Sequence, residues 1–393
     1  GVPPRWLLAA DGHAAGPNPP RGVLGFRESA VAGVVRTRPS FWADRSVLVT
    51  GHTGFKGSWL SLWLAEMGAL VHGFALNPNN GPTVFGAARV AECLVSDTRA
   101  DLSDWSALDS AVDAAEPEVV FHLAAQPLVS VGYHSPVNTW ATNVQGSVHL
   151  LEAVRHRPSV RVVVVITSDK VYENPEQGVP RVETDRLGGH DPYSSSKAAV
   201  ELAVASYRRS YWSAGRRDDV SIATARAGNV IGGGDWGSER LVPDCLRAFE
   251  VGRPVNIRSP RSVRPWQHVL EPLSGYLVLA ENLMDDPFPE VASSWNFGPD
   301  SSDEATVADV AEMVAEAWGS GAEVLHDHDA EQMHEVAILR LDSSRARDLL
   351  GWLPKWDLAE AVSRTVDWHR AWLASADLRE LCVRQIIDYA GRT

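Results

Sequence analysis

The chain has 393 residues, 45% of them hydrophobic and 22% charged, the proportions of a globular protein with one large or two ordinary domains. Its formal net charge of −14 argues against a general nucleic-acid binder, which needs a basic face for phosphate. No apolar run approaches the roughly 18 residues of a membrane span, and the three cysteines, Cys93, Cys245 and Cys382, have neither metal-ligand spacing nor a pairing pattern, so no metal site is expected and a reducing, cytoplasmic setting is.

Residues 1–40 are rich in Gly, Pro, Ala and Arg without sustained periodicity, and read as a disordered extension or a remnant of processing. The apolar run Trp6–Ala10 is too short for a signal-peptide core. Order is expected from about Phe41. The strand Ser46–Thr50 runs into Gly51-His52-Thr53-Gly54-Phe55-Lys56-Gly57 and then into a helix, Ser58–Met67, which Gly68 is placed to end. Strand, glycine turn and helix form the context of a dinucleotide fingerprint, in which backbone N–H groups approach a pyrophosphate. Gly51, Thr53, Gly54, Phe55 and Gly57 are therefore candidate cofactor contacts.

The next strand, Leu70–Leu76, ends at Asn77, where an acidic side chain usually holds the adenosine ribose. Asparagine still hydrogen-bonds ribose and repels a 2′-phosphate less than a carboxylate would; the expectation is NAD rather than NADP. A third strand is expected at Glu92–Val95, and Asp97 with Thr98 reads either as an adenine contact or as a turn. A helix at 104–115 follows, then a strand at 118–125 whose small residues Ala124 and Ala125 let a cofactor lie close to the sheet. His122 on that strand reads as a core histidine. Residues 136–154 predict one long helix carrying Asn143 and Gly146.

The run Val160–Ile166 is β-branched at nearly every position and reads as a strand buried on both faces. It breaks into Thr167-Ser168-Asp169-Lys170, followed later by Asp191-Pro192-Tyr193-Ser194-Ser195-Ser196-Lys197 at helical spacing. The repeated βα pattern predicts an α/β, doubly wound parallel sheet with a smaller C-terminal domain for substrate. The boundaries expected are 41–228 for the dinucleotide domain and 229–393 mainly for substrate. Only four of the 36 basic residues are lysines (Lys56, Lys170, Lys197 and Lys355), and two fall in this stretch. Lysine, unlike arginine, changes pKa on burial. Lys197, one turn from Tyr193, is expected to lower the tyrosine pKa so that the phenolate takes an alcohol proton, with Ser168 holding the same oxygen. Beyond a last strand at 220–226, Arg253, Arg258, Arg261 and Arg264 crowd a short span; Arg264 is the chosen phosphate contact. An amphipathic helix is expected at 358–375.

The glycines Gly51, Gly54 and Gly57 with Ser168, Tyr193 and Lys197 resemble the extended short-chain dehydrogenase/reductase family over nearly all of residues 41–393. The stretches 51–60, 124–129, 167–170, 228–236 and 264–269 resemble the sugar-nucleotide 4,6-dehydratases, and among them the CDP-glucose group. The resemblance implies a Rossmann-type fold, NAD recycled within each turnover, a nucleotide-sugar substrate and a homodimer formed through helices 136–154 and 193–212. It implies cofactor contacts from Tyr193 and Lys197, substrate contacts from Gln126, Asn229, Arg264 and His268, and a return of residues 295–299 to the cofactor domain. It implies that Lys170 takes the C5 proton and Asp169 protonates the departing 6-hydroxyl, giving CDP-4-keto-6-deoxyglucose and water from CDP-glucose. Many 4,6-dehydratases carry Asp-Glu where this chain has Asp169-Lys170, whereas the CDP-glucose group and an inverting UDP-sugar dehydratase group carry Asp-Lys. Ser130 stands where an arginine is expected. A dTDP-, UDP- or GDP-hexose substrate, a 4-epimerase reaction and a scaffold without turnover are the alternatives.

Overall fold

The computed structural model describes residues 37–79, 81–174, 178–212, 220–285, 290–300, 303–326 and 337–391. The expected extension falls mostly on residues 1–36, outside the described residues. Residues 38–42 already pack on the body: Trp42, in the short helix Pro39–Trp42, is buried and donates from Nε1 to Glu281 Oε1 at 2.7 Å.

In chain order the principal elements are β1 (Ser46–Thr50), α1 (Phe55–Glu66), β2 (Leu70–Ala75), β3 (Ser96–Arg99), α2 (Trp105–Ala115) and β4 (Val119–His122). They continue with α3 (136–155), β5 (Val162–Ile166), α4 (Pro192–Tyr211), β6 (Ser221–Ala227), α5 (Leu241–Glu250) and α6 (Leu270–Asp285), then β7 (Ser294–Phe297), α7 (Val307–Trp318), α8 (Leu358–Leu373) and α9 (Leu378–Ala390). The seven strands form one parallel sheet in the order β7-β6-β5-β4-β1-β2-β3. The order reverses beside β1 and β4, where open α/β sheets bind ligands at the carboxyl ends of their strands.

Burial explains the strand sequences. In β5, Val162, Val164 and Ile166 enter one apolar cluster and Val163 and Val165 the other, so both faces are covered and no alternation of polar residues is needed. The first cluster also takes Trp59, Leu60, Leu62, Trp63 and Leu64 of α1, a helix apolar on every side because it is enclosed. A third cluster gathers α5, α7 and α8. β7 pairs in parallel with β6, from Ser294 opposite Thr224 to Phe297 opposite Ala227, so residues late in the chain complete the sheet.

Two elements differ from expectation. The third strand is Ser96–Arg99, four residues beyond the expected one, and Val90–Cys93 is a 3₁₀ turn that begins after Arg89 at φ 50°. As an edge strand pairing only with β2, β3 tolerates a polar sequence that reads as a turn. The helix expected at 136–154 is interrupted: Pro136–Trp140, a π-helical turn at Ala141–Gln145, then Gly146–Arg155. The widened turn carries Asn143, which accepts from Gln126 N at 2.8 Å and donates to Gln126 O at 3.1 Å and to Ser196 Oγ at 2.8 Å.

The C-terminal helix is fastened through a buried carboxylate. Glu271 accepts from Lys355 N at 3.1 Å, Trp356 N at 2.8 Å and the Tyr389 hydroxyl at 2.6 Å. Burial pushes its pKa up to about 7 against those hydrogen bonds. The folded state therefore holds a proton that the unfolded chain has lost, and this contribution to stability is present at low pH and lost as pH rises towards 7. Replacing Glu271 by Gln is expected to remove a fall in unfolding free energy on the order of 3 kcal/mol between pH 4.5 and 8. Denaturant melts of both proteins across that range check it; parallel pH profiles would contradict it.

Candidate functional site

A cavity of about 920 Å³ opens at the carboxyl ends of β1, β2, β4, β5 and β6. Local geometry forces two of its glycines. Gly51 sits at φ +79°, and a Cβ there would lie 2.7 Å from Ala124 N. A Cβ on Gly57 would lie 2.1 Å from the Gly51 carbonyl oxygen, so the start of α1 can close on the turn only with glycine. The N-terminus of α1 then faces the cavity with its free N–H groups, a cradle that fits a pyrophosphate. Thr53 closes the turn by donating to the Leu76 carbonyl at 3.0 Å. Residues Gly51, Thr53, Gly54, Phe55, Gly57, Asn77, Ala124 and Ala125 all line the cavity.

On the opposite wall stands the stretch after β5. Ser168 has extended backbone and caps a single 3₁₀ turn, Asp169–Val171, accepting from Lys170 N at 3.2 Å. Its hydroxyl donates to Asp169 Oδ1 at 2.9 Å. The other carboxylate oxygen, Oδ2, is buried with no hydrogen-bond partner among the described residues. Burial raises the Asp169 pKa, while Lys170, Ser168, Arg264 and Lys56 act in the other direction. A carboxyl raised in this way holds its proton more readily than an exposed one and can serve as a proton donor.

Asp191 starts α4 as its N-cap, accepting from Ser194 N at 3.0 Å and Ser194 Oγ at 2.5 Å, with Pro192 at the first helical position. That start fixes Tyr193 and Lys197 on one face. Ser168, Asp169, Lys170, Tyr193 and Lys197 all line the cavity. The lysine does not lower the tyrosine as expected. Lys197 donates from Nζ to the Ile166 carbonyl at 3.1 Å, and burial pulls its own pKa down to about 8, with Lys56 adding and Glu201 opposing. Burial pushes Tyr193 up to about 12, the Ser168 hydroxyl pulling the other way.

Among the expected substrate contacts, Gln126, Asn229 and Arg264 line the cavity, as does Ser130. Gln126 spends its side chain on the scaffold, donating to Thr139 Oγ1 at 2.9 Å and accepting from Leu128 N at 2.5 Å. Arg264 is buried and donates to the carbonyls of Val263 and Ala337 at 2.9 and 3.2 Å. His268 does not reach the cavity. Its ring is buried edge-on between Trp59 and Trp356, Nδ1 accepts from Leu270 N at 3.3 Å, and burial holds its pKa down at about 3. It is a packing histidine. His122, likewise buried, is satisfied by Thr50 Oγ1 at 2.7 Å and Ser147 Oγ at 2.9 Å.

Asp97 and Thr98 also stay outside the cavity wall. Asp97 is engaged by His52 Nε2 at 2.8 Å and by Arg99 Nη2 at 2.7 Å, and the wall there is made by Ala100, Asp101 and Leu102. The error follows from the misplaced strand: residues after β3 are 100–102, not 96–98. Sequence reasoning also gave no role to Lys56 or Arg240. Lys56 lines the cavity, its pKa pulled down to about 8 by burial and by Arg240, with Asp169 and Asp235 opposing. Arg240, also on the wall, is held by both oxygens of Asp235 at 3.0 Å. Lysine scarcity was the available signal for the first; no local pattern marked the second. Of the four crowded arginines, Arg258 and Arg264 line the cavity.

Comparison with known proteins agrees with this geometry. The model of the NAD dependent epimerase/dehydratase family matches residues 47–293. The chain is 46% identical over 356 residues to the CDP-glucose 4,6-dehydratase of Salmonella typhimurium, covering 90% of this chain and 98% of that protein. A UDP-glucose 4-epimerase of Thermus thermophilus, solved with NAD, is 26% identical with a TM-score of 0.68, covering 82% and 98% of the two chains. The dTDP-glucose 4,6-dehydratase of Bacillus anthracis, also solved with NAD, shares the fold at 20% identity and a TM-score of 0.68, over 85% and 99%. The protein belongs to the NAD-dependent epimerase/dehydratase family.

Proposed function

We propose that the protein is an NAD-dependent sugar-nucleotide 4,6-dehydratase, a hydro-lyase, and that it converts CDP-glucose to CDP-4-keto-6-deoxyglucose and water. The observation that carries the reaction class is the buried, unpartnered Asp169 Oδ2 beside Lys170, in the same cavity as Tyr193. An epimerase needs the tyrosine but no added acid here. The 46% identity to a CDP-glucose enzyme supports the choice of nucleotide.

The dinucleotide, when bound, accepts a hydride and returns it within the same turnover. Gly51, Gly54 and Gly57 with the N-terminus of α1 would hold its pyrophosphate, and Asn77, Asp101 and Leu102 its adenosine end. Tyr193, which burial holds at about 12, would take the proton of the hexose 4-hydroxyl once the positive charge of bound NAD favours its phenolate, while Ser168 holds that oxygen. Oxidation at C4 makes the C5 proton acidic, and Lys170 removes it. Asp169 protonates the 6-hydroxyl, which leaves as water; C6 would then take back the hydride and C5 would recover its proton from Lys170. Arg264, and Arg240 held by Asp235, supply positive charge for the substrate's diphosphate.

The protein acts as a homodimer in this reading. Val137, Trp140 and Leu202, on α3 and α4, are apolar and exposed, Val137 to 78%. Among the described residues no helix is long and apolar enough to cross a membrane. All three cysteines are free, which fits a reducing cytoplasm.

Incubation with CDP-, dTDP-, UDP- and GDP-hexoses side by side, read by mass spectrometry, tests the reaction. Loss of one water from CDP-glucose without net NADH is expected; a product isomeric with its substrate would replace dehydration by epimerisation. Sedimentation of Trp140→Glu is expected to show monomer where the parent protein is dimeric, and an unchanged dimer would exclude the α3–α4 face.

A further inference from the structure

Two successive turns of α4 hold two successive residues at the end of β5. Lys197 donates to the Ile166 carbonyl at 3.1 Å, and one turn later Glu201 accepts from the Thr167 hydroxyl at 2.6 Å. The Glu201 carboxylate is buried and cannot swing away. Arg226 grips both of its oxygens, from Nε at 2.9 Å and Nη2 at 2.8 Å, and Thr224 and Ser294 donate to Oε2 at 2.7 and 3.1 Å. Arg226 is fixed in turn, donating from Nη1 to the Tyr172 hydroxyl at 2.7 Å, and that hydroxyl donates to Asn296 Oδ1 at 2.7 Å. Thr167 immediately precedes Ser168-Asp169-Lys170. Glu201 follows Tyr193 and Lys197 on the same helix face.

We infer that the Thr167–Glu201 contact is a positioning device that sets the register between the two halves of the site. One half, Tyr193 and Lys197, rides on α4; the other, Asp169 and Lys170, rides on the turn after β5. Both must meet one hexose in sequence, and a misplacement near 1 Å costs on the order of a hundredfold in rate. Thr167 and Glu201 are positioning residues, acting through Ser168, Asp169 and Lys170. The inference rests on the 4,6-dehydratase reading.

Loosening this contact displaces Ser168, Asp169 and Lys170 while Tyr193 and Lys197 stay on their helix, so elimination, which loses both its acid and its base, slows more than oxidation, which loses only the Ser168 contact. The obvious variant, Glu201→Gln, strips Arg226 of its buried counter-charge and reports on folding. Thr167→Val keeps the volume and the Arg226–Glu201 pair while deleting the hydroxyl; Thr167→Ser keeps the hydroxyl. Single turnovers of CDP-glucose, followed by NADH absorbance and product mass, distinguish them. Thr167→Val is expected to accumulate NADH and to form 4-keto-6-deoxy product about ten- to a hundredfold more slowly, with Thr167→Ser restoring both. An unchanged partition between NADH and product in Thr167→Val, or a loss without NADH accumulation, overturns the positioning role. A parent enzyme that yields only an isomer overturns the dehydratase reading itself, and the inference falls with it.

Discussion

The buried ion pair between Arg226 and Glu201 is the interaction on which the rest of the site depends. Both side chains are almost completely enclosed, and the pair joins α4 to the end of β5, the middle of β6 and the start of β7 through Thr167, Thr224 and Ser294. Burying two charges is costly unless geometry and further hydrogen bonds compensate, and here every Glu201 oxygen has at least two donors. Removing one partner from such a pair costs about 3–5 kcal/mol. Its value lies in specificity of arrangement: β7 arrives from late in the chain and must dock on β6 before Ser294 and Asn296 can reach this network.

Above that foundation the site gathers the cations of an acidic protein. The chain carries −14 overall, yet Lys56, Lys170, Lys197, Arg240, Arg258 and Arg264 line a single cavity, beside Asp101, Asp169, Asp235, Glu239 and Asp244. Cations gathered on a concave, low-dielectric wall attract ligands of the opposite sign. A dinucleotide and a sugar nucleotide each carry a diphosphate, so the same field serves cofactor and substrate. The two lysines pulled down to about 8, Lys56 and Lys197, show chiefly what burial costs an ammonium, with a neighbouring cation adding to it, before an anion arrives. Asp169 is the counterpart: its burial favours the protonated form, although the cations around it act against that.

Much of this was legible in the sequence because the determinants are local. The glycine turn is written in residues whose Cβ atoms have no room, and β5 in a β-branched run with both faces covered. The Asp191–Pro192 helix start and the one-turn spacing of Tyr193 and Lys197 are equally local. What was misread depends on neighbours distant in sequence. β3 is polar because it is an edge, which displaced the adenine wall by several residues. His268 looked like a ligand beside Arg264, and only the enclosing Trp59 and Trp356 make it a core residue. The tyrosine was expected low because its lysine is one turn away; the fold gives that ammonium to the Ile166 carbonyl, and burial decides the direction. The π-helical turn that brings Asn143 to Gln126 and Ser196 leaves no sign in an otherwise helical pattern.

The central claim is that one cavity oxidises C4 and reduces C6 of the same hexose, with water lost between. Turnover of CDP-glucose deuterated at C4, with the product resolved by NMR, follows that hydrogen directly. Deuterium is expected at C6 of the 4-keto-6-deoxy product, carried within the molecule even when unlabelled CDP-glucose is mixed in. Label retained at C4, or released into free NADH, would contradict it.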